Sequence, residues 1–333
     1  MPKGLGLFSG GLDSAVAIKV AQDAGAQVEA LHFLNPFTTS VEKGPSPRVV
    51  ELAREVGVRL RVQPLPEDYL RVITKPRFGY GRNINPCLDC RIYQFKLAAS
   101  LMGEWGASYL ITGEVLGQRP MSQRRDALAL VDRESGLKGL VLRPLSALLL
   151  EPTIPELQGW VDRSRLLAIK GRGRTAQLEL ARHYGLQSYA TPAGGCLLTS
   201  REFAAKLKDL IDHGEPLTFR EVEKLKIGRH FRVSGTTKGI VGRNREENAA
   251  LKQICGPEEM LLEVVGYKGP TTLVSGRPRE EELVLLAEVT ARYSDAPRGR
   301  EVEVRCLGAS CPAKLVRVKA AEEETLDRYR ISS

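Results

Sequence analysis

The chain has 333 residues, of which 42% are hydrophobic and 27% charged, a composition typical of a folded protein that excludes an intrinsically disordered one. Lys and Arg number 49 against 40 Asp and Glu, and the resulting net charge of +9 suggests a polyanionic partner without requiring one. No apolar run reaches the ~18 residues of a membrane span, and the first residues lack a signal-peptide pattern, so we expect a cytoplasmic protein with no membrane partner.

Apolar runs alternate with segments of helical periodicity along the first 145 residues. The runs predict strands at residues 5–8, 28–33, 58–62, 109–112 and 140–142. The periodic segments predict helices at residues 15–24, 49–56 and 92–105. This alternation indicates an α/β fold, a Rossmann-like parallel sheet wrapped by helices. Open sheets of this kind bind ligands at the carboxyl ends of their strands, where we expect the active site.

The pattern changes after residue 199. A helix is predicted at residues 201–213, followed by short strands at 231–233, 239–241, 260–265 and 302–305. We therefore predict a second, smaller α+β domain. The expected organisation is a first domain over residues 1–199, a connecting helix and linker over 200–222, and the small domain over 223–333.

The first predicted strand runs into the hexapeptide Ser9-Gly10-Gly11-Leu12-Asp13-Ser14, and a helix follows. Backbone N–H groups at the start of a helix bind anions, and glycines allow close approach, so phosphate is the expected ligand. The hexapeptide lacks the lysine of a GxxxxGK[ST] loop and is not a GxGxxG motif. An aspartate, Asp13, instead of that lysine suggests that Mg²⁺ bridges the protein and a bound pyrophosphate. Asp13 is therefore our candidate for the contact with the metal or with pyrophosphate.

Six cysteines in a chain without a secretory pattern point to metal or sulfur chemistry rather than disulfides. Cys87 and Cys90 form a CxxC pair that precedes a predicted helix, and Cys196 follows Gly194-Gly195. Three thiolates can ligate a zinc ion, which needs a fourth ligand, or an iron–sulfur cluster in which one iron keeps a free coordination position. They can also serve a persulfide relay through Cys90 and Cys196. We treat Cys255, Cys306 and Cys311 as packing residues.

The hexapeptide matches in full the SGGxDS motif of the ATP pyrophosphatases, and the chain resembles that superfamily, whose fold is of the adenine nucleotide alpha hydrolase type. The resemblance implies cleavage of ATP between its α and β phosphates, with AMP left on an activated carbonyl oxygen. The ATP-binding residues that it implies are Phe8, Ser9, Gly10, Gly11, Asp13, Ser14, Gly113, Glu114 and Gln118.

Two further segments resemble tRNA-sulfurating members of this superfamily. Residues 85–90, with Phe95-Lys96, are similar to the NPCxxCN…KF segment of tRNA 2-thiouridylases, although Arg91 stands where that pattern has Asn. Residues 112–118, with Ser122-Gln123, are similar to the TGExLGQ…SQ segment of 4-thiouridine synthetases, and residues 142–145 fit the same family. The resemblance covers residues 4–199 and implies ATP-dependent thiolation of a uridine in tRNA.

The same resemblance bears on the sulfur chemistry. A CxxC pair with one later Cys is the arrangement of the cluster-dependent members, which favours a [4Fe-4S] cluster held by Cys87, Cys90 and Cys196, with zinc or a persulfide relay as alternatives. The sulfur donor would be sulfide or a cysteine desulfurase, and the sequence leaves a homodimer open. The N-terminal tRNA-binding extension of 4-thiouridine synthetases is expected to be absent, because the phosphate loop begins at residue 9.

Residues 226–232 and 240–248 resemble the RNA-binding domain of the NFACT proteins of ribosome quality control. Basic residues there can contact phosphates, and His230 and Phe231 are candidate stacking surfaces. Together with a basic run at 163–174, the predicted RNA-binding residues are Arg163, Arg165, Arg172, Arg174, Lys226, Arg229, Arg232, Arg243 and Arg245.

Two functions of other classes compete with tRNA thiolation. One is an ATP pyrophosphatase or ligase that acts on a small molecule, for which the basic segments are incidental. The other is a non-catalytic RNA-binding protein with a degenerate nucleotide site. The intact hexapeptide and the three cysteines argue against this second alternative. His32 and His183 are expected in or beside the core, without a nucleophile or base pattern.

Overall fold

The computed structural model describes residues 2–38, 44–190, 195–308 and 311–332, with only the backbone for 311 and 312. The chain divides into two compact units, residues 1–199 and 200–333. Among the helices described, none is long and apolar enough to cross a membrane.

The first unit is a parallel sheet flanked by helices. Its strands are β1 Lys3–Leu7, β2 Gln27–Leu34, β3 Leu60–Pro64, β4 Ala107–Ile111 and β5 Val141–Leu142. Its helices are α1 Leu12–Asp23, α2 Pro47–Val56, α3 Leu70–Thr74, α4 Cys87–Trp105, α5 Arg125–Glu134, α6 Ile154–Leu157 and α7 Thr175–His183. The strand order is β3-β2-β1-β4-β5, and every pairing is parallel. The predicted α/β class is confirmed.

The strand order contains a topological switch point. From β1 the chain moves outward to β2 and β3, then returns to the other side of β1 to form β4. The connections that leave β1 and β4 therefore diverge at the carboxyl edge of the sheet, and a crevice opens between them. Both the hexapeptide and the segment that begins at Thr112 lie at this crevice.

Small residues on β1 let the layers approach closely. A Cβ at Gly6 would lie 2.8 Å from Cδ1 of Ile18 on α1, and a Cβ at Gly4 would lie 2.6 Å from Cδ1 of Ile111. The alternate residue Leu5 is fully buried on the opposite face, in a cluster with Phe95 of α4. β1 is thus covered on both faces, as a central parallel strand requires.

The second unit is built on an antiparallel sheet. Its strands are β6 Arg229–Arg232, β7 Lys238–Val241, β8 Met260–Val264, β9 Thr272–Ser275, β10 Val302–Gly308 and β11 Cys311–Val318, in the order β11-β10-β8-β9-β7-β6. Its helices are α8 Arg201–Asp212, α9 Phe219–Leu225, α10 Arg245–Ile254, α11 Glu280–Arg292 and α12 Glu323–Tyr329. Leu286 of α11 packs with Phe231 and Val304, whereas Leu251 of α10 packs with Ile240 and Leu273. The predicted second α+β domain is confirmed.

Helix α8, predicted as a connector, packs within the second unit. Lys206 Nζ donates a hydrogen bond of 3.0 Å to the carbonyl oxygen of Gly228, and Asp209 forms an ion pair of 2.7 Å with Arg232 of β6. These contacts tie α8 to the edge strand of the sheet.

Candidate active site

The hexapeptide forms the turn between β1 and α1. Gly10 has φ 78°, and a Cβ there would lie 2.5 Å from Cγ2 of Val49, so the position requires glycine. Gly11 is the extended N-cap residue, and its carbonyl oxygen accepts from Ala15 N at 3.2 Å and from Ser14 Oγ at 2.8 Å. No side chain of the described residues caps α1. The first N–H groups of α1 are therefore available to an anion.

The Asp13 carboxylate is held from one side only. Its Oδ2 accepts from Gln118 Nε2 at 2.9 Å and from Arg174 Nη2 at 2.7 Å. Its Oδ1 is buried and has no hydrogen-bond partner within the described part of the chain. A buried carboxylate oxygen without a partner is costly, and a cation such as Mg²⁺ would satisfy it.

Gly113, the second residue after β4, presses directly on the start of α1. A Cβ there would lie 2.6 Å from the carbonyl carbon and oxygen of Asp13 and from the N atom of Ser14. Because all three are backbone atoms, no rotamer change can make room for a larger residue. This close approach brings the segment that contains Gln118 against the hexapeptide.

Glu114 lies at the centre of a buried ionic network. Its side chain is fully buried, and its two oxygens accept from Arg91 Nε and Arg143 Nε, each at 3.0 Å. Arg143 also binds Asp132 of α5 through two hydrogen bonds of 2.8 and 2.6 Å. Burial alone would raise the pKa of Glu114, but the two guanidinium groups outweigh it and hold that pKa below its usual value. Glu114 thus fixes Arg91 of α4 and Arg143, the residue after β5, rather than facing the crevice itself.

Cys87 and Cys90 occupy the first turn of α4, whose N-terminus lies at the carboxyl edge of the sheet because α4 precedes parallel strand β4. Cys87 Sγ donates to Asn85 Oδ1 at 3.1 Å. Cys90 Sγ is hydrogen-bonded to the hydroxyl of the fully buried Tyr69 at 3.0 Å and accepts from Gln94 Nε2 at 3.3 Å. The Cys90 sulfur is thus held by two polar side chains.

Two hydrogen bonds bring the Cys196 segment to the same edge. Leu197 N donates to the carbonyl oxygen of Phe37 at 2.9 Å, and Asn83 Nδ2 donates to the carbonyl oxygen of Thr199 at 2.7 Å. Asn83 adopts φ 58°, a conformation that Asn tolerates better than most residues. The segment is therefore fastened both beyond β2 and to the loop that precedes Cys87. Gly194 lies outside the described residues.

The three thiols share one electrostatic environment. Burial raises the pKa of Cys196 to about 12, and the neighbouring Cys90 and Cys87 add to the rise. Burial also raises the pKa of Cys87 and Cys90, against the opposing charge of Arg91. Buried thiols of this kind are protonated at neutral pH unless a metal ionises them. In the part of the chain that the structure describes, no three His, Cys, Asp or Glu side chains are arranged to hold a single metal ion.

The basic run at residues 163–174 does not form one RNA-facing surface. Arg163 forms an ion pair with Glu156 and donates to the carbonyl oxygens of Ala147 and Leu150, both at 3.0 Å. Arg165 donates to the carbonyl oxygen of Asp23 at 2.8 Å, and Arg172 is exposed. Arg174 instead binds Asp13.

The predicted cations of the second unit divide in a similar way. Lys226, Arg232 and Arg243 form ion pairs of 2.6, 2.7 and 2.6 Å with Glu223, Asp209 and Glu247, respectively. Arg229 lies over the Tyr293 ring at 4.6 Å, and Arg245 is exposed.

The predicted stacking role of His230 and Phe231 is wrong. Their side chains are 1% and 0% exposed, since Phe231 packs in the core with Leu286 of α11, and His230 lies close to Lys206 of α8. His32 is buried as expected and contacts the carbonyl oxygen of Phe8 through Nδ1 at 2.7 Å, whereas His183 is exposed, contrary to expectation. Cys306 is buried in the core, and Cys255 packs beside Leu251, as predicted; the Cys311 side chain lies outside the described residues.

Sequence reasoning did not identify Arg174 as a partner of Asp13, Tyr69 as a partner of Cys90, or the Arg91–Glu114–Arg143 network. Arg174 was predicted to bind RNA as part of the basic run, because the sequence shows its charge but not its contact with Asp13. For Arg143 the sequence did contain a signal, since this residue lies in the segment 142–145 that resembles 4-thiouridine synthetases.

Comparison with protein families confirms both resemblances. Residues 2–152 match the family model described as Thiamine biosynthesis protein (ThiI), and residues 228–330 match the NFACT protein RNA binding domain. The ThiI match covers the hexapeptide, the CxxC pair and the segment from Thr112 to Gln123. The NFACT match covers the antiparallel sheet of the second unit.

Individual relatives match only part of the chain. A probable tRNA sulfurtransferase of Lysinibacillus sphaericus is 32% identical over 146 residues, which are 43% of this chain and 34% of that protein. A tRNA-specific 2-thiouridylase MnmA of Oleidesulfovibrio alaskensis is 32% identical over 119 residues, 34% of this chain and 33% of that protein. The matched segment spans about a third of the length of these curated relatives. The crystal structure of a 4-thiouridine synthetase–RNA complex with bound ATP aligns with a TM-score of 0.42 and 22% identity, over 68% of this chain and 50% of that one.

Proposed function

We propose that this chain, similar to tRNA sulfurtransferases in its first unit and to NFACT RNA-binding domains in its second, is an ATP-dependent enzyme that replaces a uridine oxygen of tRNA with sulfur. The observation that carries the proposal is the buried, unpartnered Oδ1 of Asp13, in a loop whose helix N-terminus is free to bind phosphate. The three thiols at the same sheet edge supply the sulfur chemistry. The reaction would take place in the cytoplasm, where tRNA is available.

The first step is adenylation. The uridine carbonyl oxygen attacks the α phosphorus of ATP, the bond from that phosphorus to the bridging oxygen of the β phosphate breaks, and pyrophosphate leaves with the electron pair. The N–H groups at the start of α1 and the guanidinium of Arg174 stabilise the negative charge that pyrophosphate gains. Asp13 Oδ1 would hold the Mg²⁺ ion that neutralises ATP. The N3–H proton of the uridine is released to solvent, which leaves the adenylated ring neutral.

The second step is sulfur transfer. Hydrosulfide attacks the activated carbon, the bond between that carbon and the oxygen of AMP breaks, and AMP leaves; sulfur stays at the sulfide oxidation level. Cys87, Cys90 and Cys196 would hold a [4Fe-4S] cluster, which would supply a binding position for sulfide. Tyr69 and Gln94 keep the Cys90 sulfur in place. The donor of sulfur is free sulfide or a cysteine desulfurase.

A persulfide relay would use the same thiols differently. Cys196 or Cys90 would carry the sulfane sulfur, and the other thiol would release it as sulfide by forming a disulfide with the carrier. Each turnover would then need a thiol reductant.

The decisive experiment is a thiolation assay with anaerobically purified protein, unmodified tRNA, ATP, Mg²⁺ and sulfide, followed by mass spectrometry of the nucleosides. The wild type should form one thiolated uridine, and Asp13→Ala should form none. Asp23→Ala, at the exposed far end of α1, is the matched control and should keep wild-type activity. Thiolation by Asp13→Ala at the wild-type rate would exclude the proposed adenylation site.

A further inference from the structure

One end of the antiparallel sheet in the second unit is formed by three loops. There β7 ends, β8 ends and β10 begins, and the connecting segments are residues 242–244, 265–271 and 293–301. We call this surface the three-loop end. β6 begins at the same end, because Arg229 pairs with Val241 at the last position of β7.

Hydrogen bonds fasten the three loops to one another. Asn248 Oδ1 accepts from Thr271 N at 3.0 Å, and Gly242 N donates to the carbonyl oxygen of Thr271 at 3.1 Å. Asp295 N donates to the carbonyl oxygen of Lys268 at 2.8 Å. A Cβ at Gly242 would lie 2.1 Å from Asn248 Oδ1, so a larger residue would displace the amide that accepts from Thr271. The loops therefore hold a fixed arrangement, and ligand binding there would cost little ordering entropy.

The three-loop end carries exposed cations that have no acidic partner. Within the described ranges, no ion pair involves any of these side chains: Arg245, Lys268, Arg298, Arg300 and Lys319. Arg229 adds a guanidinium held over the Tyr293 ring at 4.6 Å. The acids Glu246, Asp295, Glu301 and Glu322 are exposed at the same end and are fewer than the cations.

The opposite end of the sheet differs in charge although it also contains basic residues. Lys238 and Arg232 both pair with Asp209, at 3.4 and 2.7 Å, and Lys314 pairs with Glu280 at 2.7 Å. Arg277 and Lys208, which precedes Asp209 on α8, are exposed there without an ion pair among the described residues. A cation already neutralised in the folded state has little to gain from a phosphate. The two ends are thus distinguished by unpaired charge rather than by the number of basic residues.

We propose that the three-loop end is the surface with which the second unit binds the phosphate backbone of RNA. This assignment rests on the proposed function, which makes tRNA the substrate, and it replaces most of the residues expected from sequence. Of the five predicted there, Arg243 lies in the loop 242–244 but is paired with Glu247, so only Arg229 and Arg245 contribute unpaired charge to this surface. Lys268, Arg298, Arg300 and Lys319 are new. Contacts of arginine and lysine with phosphates release counterions, so affinity at this surface depends strongly on salt and little on base sequence.

The test compares two triple variants of the full chain. Lys268→Ala/Arg298→Ala/Arg300→Ala removes three charges from the three-loop end. Lys208→Ala/Arg277→Ala/Lys314→Ala removes three exposed charges elsewhere in the same unit. Binding of an unmodified tRNA transcript is measured for each over a range of salt concentrations, beside duplex DNA of equal length. All six side chains are exposed, so both variants should fold, which circular dichroism and the unfolding midpoint verify.

The three-loop variant should bind tRNA at least about tenfold more weakly, and its slope of log affinity against log salt should fall by about two to three. The control variant should stay within about twofold of the wild type, as expected for charges that touch no phosphate. Equal weakening of both variants, or no weakening of the three-loop variant, would overturn the proposal. The proposal would also be overturned if the three-loop variant lost binding to duplex DNA but kept its binding to tRNA. Thiolation by the wild type, assayed in the same preparations, tests the proposed function separately, since that activity can persist when tRNA binds elsewhere.

Discussion

Arg174 and Asp13 form an ion pair of 2.7 Å across 161 residues of sequence. Arg174 precedes α7, which packs on α1, and Asp13 is the second residue of α1. The pair therefore fixes the guanidinium beside the N–H groups that would receive pyrophosphate. It also explains why only one carboxylate oxygen of Asp13 remains free for a cation.

We predict that Arg174→Ala lowers the rate of tRNA-dependent pyrophosphate release by about two orders of magnitude, as loss of a charge-stabilising donor does in other enzymes. Arg174→Lys should restore part of the rate, because lysine keeps the charge but not the two-pronged geometry. Arg172→Ala, two residues away and exposed, is the control. An equal loss in the Arg172 variant would show that the charge of the whole run matters, not this ion pair.

Gly113→Ala should abolish ATP binding. The added methyl group would lie 2.6 Å from backbone atoms of Asp13 and Ser14, so the start of α1 must move. Gly103→Ala makes the same chemical change on α4, where nothing lies within 4 Å, and should leave ATP affinity unchanged. Isothermal titration with ATP and Mg²⁺ measures both. Normal affinity in the Gly113 variant would show that the contact is not needed for nucleotide binding.

Replacement of single cysteines should separate the two half-reactions. Cys90→Ala and Cys196→Ala should still release pyrophosphate with tRNA but form no thiouridine, because the adenylation loop is intact. Cys255→Ala, in the second unit, should retain both activities. Iron and sulfide analysis of the anaerobically purified wild type should find four of each per chain, the content of one [4Fe-4S] cluster. A colourless, iron-free and fully active wild type would favour the persulfide relay instead.

Glu114→Gln should destabilise the first unit by about 3 kcal/mol at neutral pH, because the buried guanidinium of Arg143 and the partly buried one of Arg91 lose their charged partner. The pKa of Glu114 is lowered in the folded protein, so its stabilising contribution is present above the unfolded pKa and is lost as pH falls through the folded value. The difference in free energy of unfolding between wild type and variant should therefore shrink below about pH 4.3.

Urea denaturation followed by tryptophan fluorescence measures this difference, since both tryptophans, Trp105 and Trp160, belong to the first unit. Glu51→Gln is the control, because Glu51 forms only an exposed pair with Arg54. Its effect should stay below about 1 kcal/mol. A pH-independent difference for Glu114→Gln would mean that its carboxylate is not the stabilising form.

The positions of the elements followed the sequence closely where the local signal was strong. β1, α1 and β2 were predicted within a few residues, because an apolar run, a glycine pair and a helical period adjoin there without interruption. Helix α4 begins at Cys87, five residues before its predicted start at residue 92, since the polar CxxC turn has no apolar periodicity. No helix was predicted for α3, α5, α6, α7, α9, α10, α11 or α12.

The sequence by itself determined the class of fold, the phosphate loop and the family resemblances, because these depend on residues that are neighbours along the chain. The tertiary structure alone decided which partners the charged residues have. In the first unit, Arg174 pairs with Asp13, and Glu114 is buried between two arginines. In the second unit, acidic side chains pair with Lys226, Arg232 and Arg243. A basic residue is available to RNA only if no acid reaches it, and that depends on contacts between distant segments that composition and spacing do not encode.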